Sequence, residues 1–177
     1  MDVDDLIHAC QVAAAEPESI LAVRDVLEEA MADRAALAAA LPATEAELTT
    51  LYSSAEVTIM KIVWGPGMTI PPHDHRMWAC NGIYIGREQN QLFRRFDRSI
   101  VESGGLDIGE GEVGLLGVDA IHSVTNPRTH ELTAAIHVYG GDFMNIERST
   151  WTGDPLVEDV TNTAATRALF EEAKRAR

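Results

Sequence analysis

The chain has little cysteine, few aromatics and few basic residues, and no long apolar run. Its two cysteines, Cys10 and Cys80, are too few and too far apart for a disulfide framework. Cys10 falls on an apparent helix and reads as a small apolar core residue. Fourteen Lys and Arg face 28 Asp and Glu, for a net charge of -14. That balance argues against nucleic acid and anionic membrane as partners, because both need clustered cations. Charges or glycines break the apolar stretches well short of the ~20 residues a membrane span needs. The opening MDVDDLIHAC carries acids where a leader would place a basic region and an apolar core, so the chain reads as cytoplasmic.

What is present is the composition of one globular domain over residues 1–177, with 46% hydrophobic and 24% charged residues. Residues 3–15 and roughly 17–41 carry apolar side chains at helical spacing, among them Ile20, Val23, Leu27, Met31 and Leu37. Pro17 reads as the first turn of the second helix. This helical flank, residues 1–45, gives way at about residue 50 to short β-rich runs. Val57 to Val63, Gly82 to Ile85 and Val113 to Val118 are separated by Gly-Pro-Gly, Pro-Pro and Gly-Glu-Gly turns. Many short strands over residues 50–148 predict a sandwich or barrel. Residues 161–177 return to helix, with Thr161 or Asn162 as cap.

Four of the six histidines lie in the β-region, whereas His8 and His130 read as surface residues. His73 and His75 are separated by one residue, so on a strand they share a face about 6.5 Å apart. That suits two imidazoles closing on one ion, though the pair alone does not establish a metal. His122 follows Gly117-Val118-Asp119-Ala120-Ile121, with Asn126 four residues on.

Gly67-Met68-Thr69-Ile70-Pro71-Pro72-His73-Asp74-His75 resembles the first sequence motif of the cupin superfamily, and the stretch around His122 resembles the second. The resemblance implies a mainly β double-stranded β-helix barrel in which His73, His75 and His122 converge on a metal. Many cupins add a glutamate four or five residues after the second histidine; here those positions are Ala79 and Cys80, and no acid intervenes before Glu88. Three imidazoles suit zinc, copper, iron or nickel alike, so ligand type does not choose the metal.

Cys80, with the His137-Val138-Tyr139 strand, resembles the cysteine dioxygenase family of thiol dioxygenases, as do Trp64 and Tyr52. The likeness covers roughly residues 50 to 143. It implies iron(II) on the three histidines, a small thiol and dioxygen as substrates, a sulfinic acid product, and a possible thioether joining Cys80 to Tyr139. By strand alternation Tyr139 shares a face with His137, which could orient its hydroxyl; alone, the two would be a structural strand pair. Members that oxidise cysteine itself carry an arginine where this chain has Ser54, so free cysteine is not the expected substrate. Arg76 is a candidate replacement anion anchor, with Tyr52 and Trp64 as further substrate contacts, and Met77 and Trp78 add bulk. Ala135 replaces the family's serine behind His137. The alternatives are a cupin oxygenase cleaving carbon–carbon bonds of a diketone or phenol, and a non-catalytic metal- or ligand-binding cupin. Oligomeric state is left open.

Overall fold

The computed structural model describes residues 2–97, 99–161 and 163–175. Three helices come first: α1 (Val3–Ala14), α2 (Ser19–Ala32) and α3 (Arg34–Ala40). Asp2 starts α1 by accepting from the Asp5 amide at 2.8 Å. The single helix expected from residue 17 to 41 is broken, because the Asp33 side chain accepts from the Ala36 amide and starts α3. Pro17 lies ahead of α2, not in its first turn. Leu6, Cys10, Val23, Leu27, Met31 and Leu37 form the buried stripe of this layer.

Eleven strands follow among the described residues: β1 (Glu47–Ser53), β2 (Thr58–Trp64), β3 (Thr69–Asp74), β4 (Ala79–Ile85), β5 (Arg87–Phe96), β6 (Ser99–Gly109), β7 (Val113–Leu116), β8 (Ile121–Thr125), β9 (Thr133–Tyr139), β10 (Ser149–Thr152) and β11 (Val157–Val160). They form two antiparallel sheets, ordered β1-β2-β9-β4-β7 and β11-β10-β3-β8-β5-β6. This is the mainly β, double-stranded β-helix arrangement expected, with helices at both ends. The helical layer covers the outer face of the first sheet, where Ile59, Val63, Ile136 and Val138 meet Leu6 and Leu27. Gly86, at φ 82°, turns the chain from β4 in one sheet to β5 in the other. A Cβ there would meet Arg128 and Thr133 side-chain atoms at 2.6 Å, so the corner requires glycine.

The last helix, α4 (Thr163–Arg175), starts close to the expected boundary; a cap at Asn162 falls outside the described residues. Phe170 anchors it against Trp64, with ring centroids 5.5 Å apart, and Lys174 pairs with Glu45. No described helix is long and apolar enough to cross a membrane.

Candidate metal centre and cavity

β3 and β8 bring the two histidine motifs together, with His73 directly opposite His122 in the ladder. The register between β3 and β8 shifts between Ile70 and His73, at Pro71-Pro72, which leaves the Pro71 carbonyl free to accept from His73 Nδ1 at 2.9 Å. His75 lies one residue beyond the end of β3. Its Nε2 sits 3.2 Å from Nε2 of His73 and 3.1 Å from Nε2 of His122. His122 donates its Nδ1 proton to Asn90 Oδ1 at 2.6 Å.

These contacts decide the tautomers at two positions. With the Nδ1 protons of His73 and His122 committed to oxygen acceptors, each Nε2 presents a lone pair to the common point. Burial pushes all three histidines well below their ordinary value, His73 to about 4, so each is neutral near pH 7. The three ligand atoms lie within 4.8 Å of one another. Ligand bonds of about 2.0–2.1 Å at roughly right to tetrahedral angles place nitrogens about 3.0–3.4 Å apart, so the His75 distances fit a metal. The sixth ring nitrogen of the group, His75 Nδ1, is buried without a hydrogen-bond partner among the described residues.

Behind this centre runs a second buried chain of polar groups that sequence reasoning missed. Glu88, fully buried on β5, accepts from His137 Nε2 at 3.0 Å and from Trp64 Nε1 at 3.1 Å through one oxygen. Its other oxygen accepts from the amides of Asn81 and Asn90 at 3.2 and 3.1 Å. Burial by itself would raise its pKa, but His137 beside it and these donors outweigh burial and hold the carboxylate below the usual range. With Glu88 accepting the Nε2–H of His137, Nδ1 of the neutral imidazole accepts from the Tyr139 hydroxyl at 3.2 Å, and Nδ1 of the protonated imidazole donates to the same oxygen. Asn90 then joins Glu88 to His122. The carboxylate thus supports both Tyr139 and a candidate ligand, and it does so where Ala135 offers no hydroxyl. β5 was hard to read because its inward positions are Glu88 and Asn90, where a half-buried strand usually shows apolar residues.

Tyr139 borders the centre, its ring 5.0 Å from that of His75. Phe143 stacks on Tyr139 at 3.8 Å, and the Arg148 guanidinium lies over Phe143 at 3.7 Å. A cavity of about 330 Å³ opens here, lined at this end by His73, Tyr139, Phe143 and Arg148 and further in by Met60, Ile62, Trp64 and residues of α4. Burial lowers the pKa of Arg148, and its Nε is enclosed without a hydrogen-bond partner among the described residues. Arg148 was missed because it lies at the end of the expected β-region, ahead of β10, which carries no strong apolar pattern.

Three expected site residues are placed elsewhere. Cys80 pairs with Val138 and Ala79 with Tyr139, so the thiol and the phenol emerge on opposite faces of the first sheet. Cys80 is buried in the helix-side core with Cys10, where burial pushes its thiol up to about 12, and a thioether to Tyr139 is excluded by this register. Tyr52 also packs on the helix side, because an irregularity between Thr50 and Tyr52 pairs it with Ile59. Ser54, two residues on, closes the β1–β2 turn by accepting from the Val57 amide. Arg76 sits at φ 55°, donates to Ser149 Oγ at 3.0 Å and lines a separate cleft with Arg94 and Arg95. The arginines that line the cavity are instead Arg148 and Arg167. Met77 packs on the inner face and Trp78 on the helix side.

No family model matches the chain. Among solved structures it is similar to an RmlC-like cupin with a double-stranded β-helix fold from Methanocaldococcus jannaschii, at 16% identity and a TM-score of 0.46, over 58% of this chain and 85% of that one. It is similar to a conserved protein with a double-stranded β-helix domain from Klebsiella pneumoniae, at 12% identity and 0.47, over 60% and 79%. A cupin superfamily protein from Desulfitobacterium hafniense matches at 14% identity and 0.47, over 60% and 88%.

Proposed function

We propose that His73, His75 and His122 hold a divalent iron and that the protein uses dioxygen to oxidise a small thiol to a sulfinic acid. The observation that carries the proposal is the meeting of three neutral Nε2 atoms beside the Tyr139 hydroxyl at one end of a cavity. The choice of iron over zinc, copper or nickel rests on the family resemblance. Bound iron(II) would acidify the thiol and take part in the electron exchange of RSH + O₂ → RSO₂H, in which both oxygen atoms are kept.

The chain's own residues then have separable tasks. Glu88 fixes the tautomer of His137, and His137 holds the Tyr139 proton, so the tyrosine oxygen offers its remaining lone pair toward the cavity. Arg148 receives an anionic end of the substrate, replacing the arginine missing at Ser54. Phe143, Trp64 and Met60 exclude water from around these groups.

The test is metal analysis combined with oxygen uptake across cysteine, cysteamine, mercaptopropionate and bulkier thiols. His73→Ala and His122→Ala should abolish iron retention, whereas Tyr139→Phe should keep iron and lose most turnover. Unchanged iron in both histidine variants rejects the site. No uptake with any thiol, in iron-loaded protein, rejects the reaction. The position of Cys80 favours a second reading, cleavage of a carbon–carbon bond in a diketone, because that reaction has no need of a thioether. Uptake with diketones and none with thiols would select it.

A further inference from the structure

The cavity is larger and more apolar than a small thiol requires. Its polar end is fixed by aromatic stacking: Arg148 on Phe143, Phe143 on Tyr139, and Tyr139 beside His75. Arg148 also bears electrostatically on His73, His75 and Tyr139, which places its charge at this end. Away from it, Leu48 of β1 lies beside Ile62 of β2, and with Met60 and Trp64 they face Leu169 and Phe170 of α4 across the same space, with Asp159 and Arg167 also on the lining. At about 330 Å³, by liquid volume this is room for roughly ten water-sized groups, whereas mercaptopropionate has about six non-hydrogen atoms.

An apolar wall facing space is a specificity element only if something apolar fills it. An enclosed guanidinium nitrogen without a partner requires an acceptor in the same space. We propose that the substrate is an amphipathic acid, with its carboxylate on Arg148 and a hydrocarbon body held between β1–β2 and α4. The inference deepens the thiol reading and rests on it only for the sulfur atom.

The experiment is anaerobic titration calorimetry on the full chain, at its metal content as purified, with butanoate, hexanoate, octanoate, octanol and octylamine. Affinity should rise about fourfold per methylene, or about 250-fold from butanoate to octanoate. Leu169→Trp, which fills the apolar compartment, should weaken octanoate about tenfold and leave butanoate unchanged. Arg148→Met should weaken all three acids alike and remove the preference for octanoate over octanol. A flat series, no binding of any acid, or equal binding of octanol or octylamine and octanoate overturns the proposal. So does a Leu169→Trp variant that weakens butanoate and octanoate equally. Without oxygen there is no turnover, so failure here leaves the oxidation reading intact, and absence of thiol oxidation leaves acid binding intact.

Discussion

The two faces of the first sheet are made by alternate residues of the same strands, yet they are chemically opposite. Outward, Ile59, Val63, Cys80, Ile136 and Val138 pack against the helices in an apolar layer. Inward, Asn81, His137 and Tyr139 join Glu88, Asn90 and the three candidate ligands. The outward face secures the fold chiefly through apolar burial, with Lys61 paired to Glu47 and the Tyr84 hydroxyl donating to the Leu41 carbonyl as its polar ties. The inward face carries polar groups that are tolerable only because nearly each has a partner. One residue of register therefore separates a position facing the polar interior from one facing the helix layer, as Ala79 and Cys80 demonstrate.

The strongest test of this contrast is Glu88→Ala. Removing the carboxylate strands donors on His137, Trp64, Asn81 and Asn90, at a cost of about 3–5 kcal/mol, read as a lower unfolding midpoint. It should also weaken metal binding about 10–100-fold, because Asn90 no longer fixes His122, with partial recovery in Glu88→Gln. Leu27→Ala on the outward face should cost about 2–5 kcal/mol and leave metal affinity unchanged. If both variants moved metal affinity equally, the faces would not be functionally distinct. Cys80→Ala should cost about 1 kcal/mol and leave metal content and turnover alone. With its pKa pushed up to about 12, Cys80 should also resist a thiol reagent at neutral pH in the folded protein, and rapid labelling would contradict its placement.

The smallest effect lies at the outer end of the second sheet. Hydrogen bonds from Arg95 and Ser149 hold Glu158 down to about 2 from an ordinary 4.5. Because the folded value is the lower one, its contribution is complete above pH 4.5 and is lost as pH falls toward 2. Amide exchange in β10–β11 should accelerate over that window. Glu158 is partly exposed, so the gain is modest and screened by salt.

The barrel and the three-histidine group were legible because they rest on local signals: turn glycines and prolines, β-rich runs, and histidines at a strand's spacing. The His137–Tyr139 pair was legible for the same reason, since alternation along one strand fixes a shared face. Cys80 and Tyr52 were not, because which face each occupies depends on register and irregularities set by a neighbouring strand. Glu88 and Arg148 escaped for a different reason. A buried charge carries no periodic mark of its own, and its partners come from distant segments: Glu88 meets His137 across 49 residues.

The same separation bears on how the chain would acquire the proposed metal. His75 and His122 are 47 residues apart, so the complete ligand set exists only after the loop between them has closed and β3 has zipped against β8. An ion bound there would therefore not template early collapse. It would enter a finished barrel and then hold it shut by mass action, which would make loading a late event whose signature is slower unfolding, not faster folding.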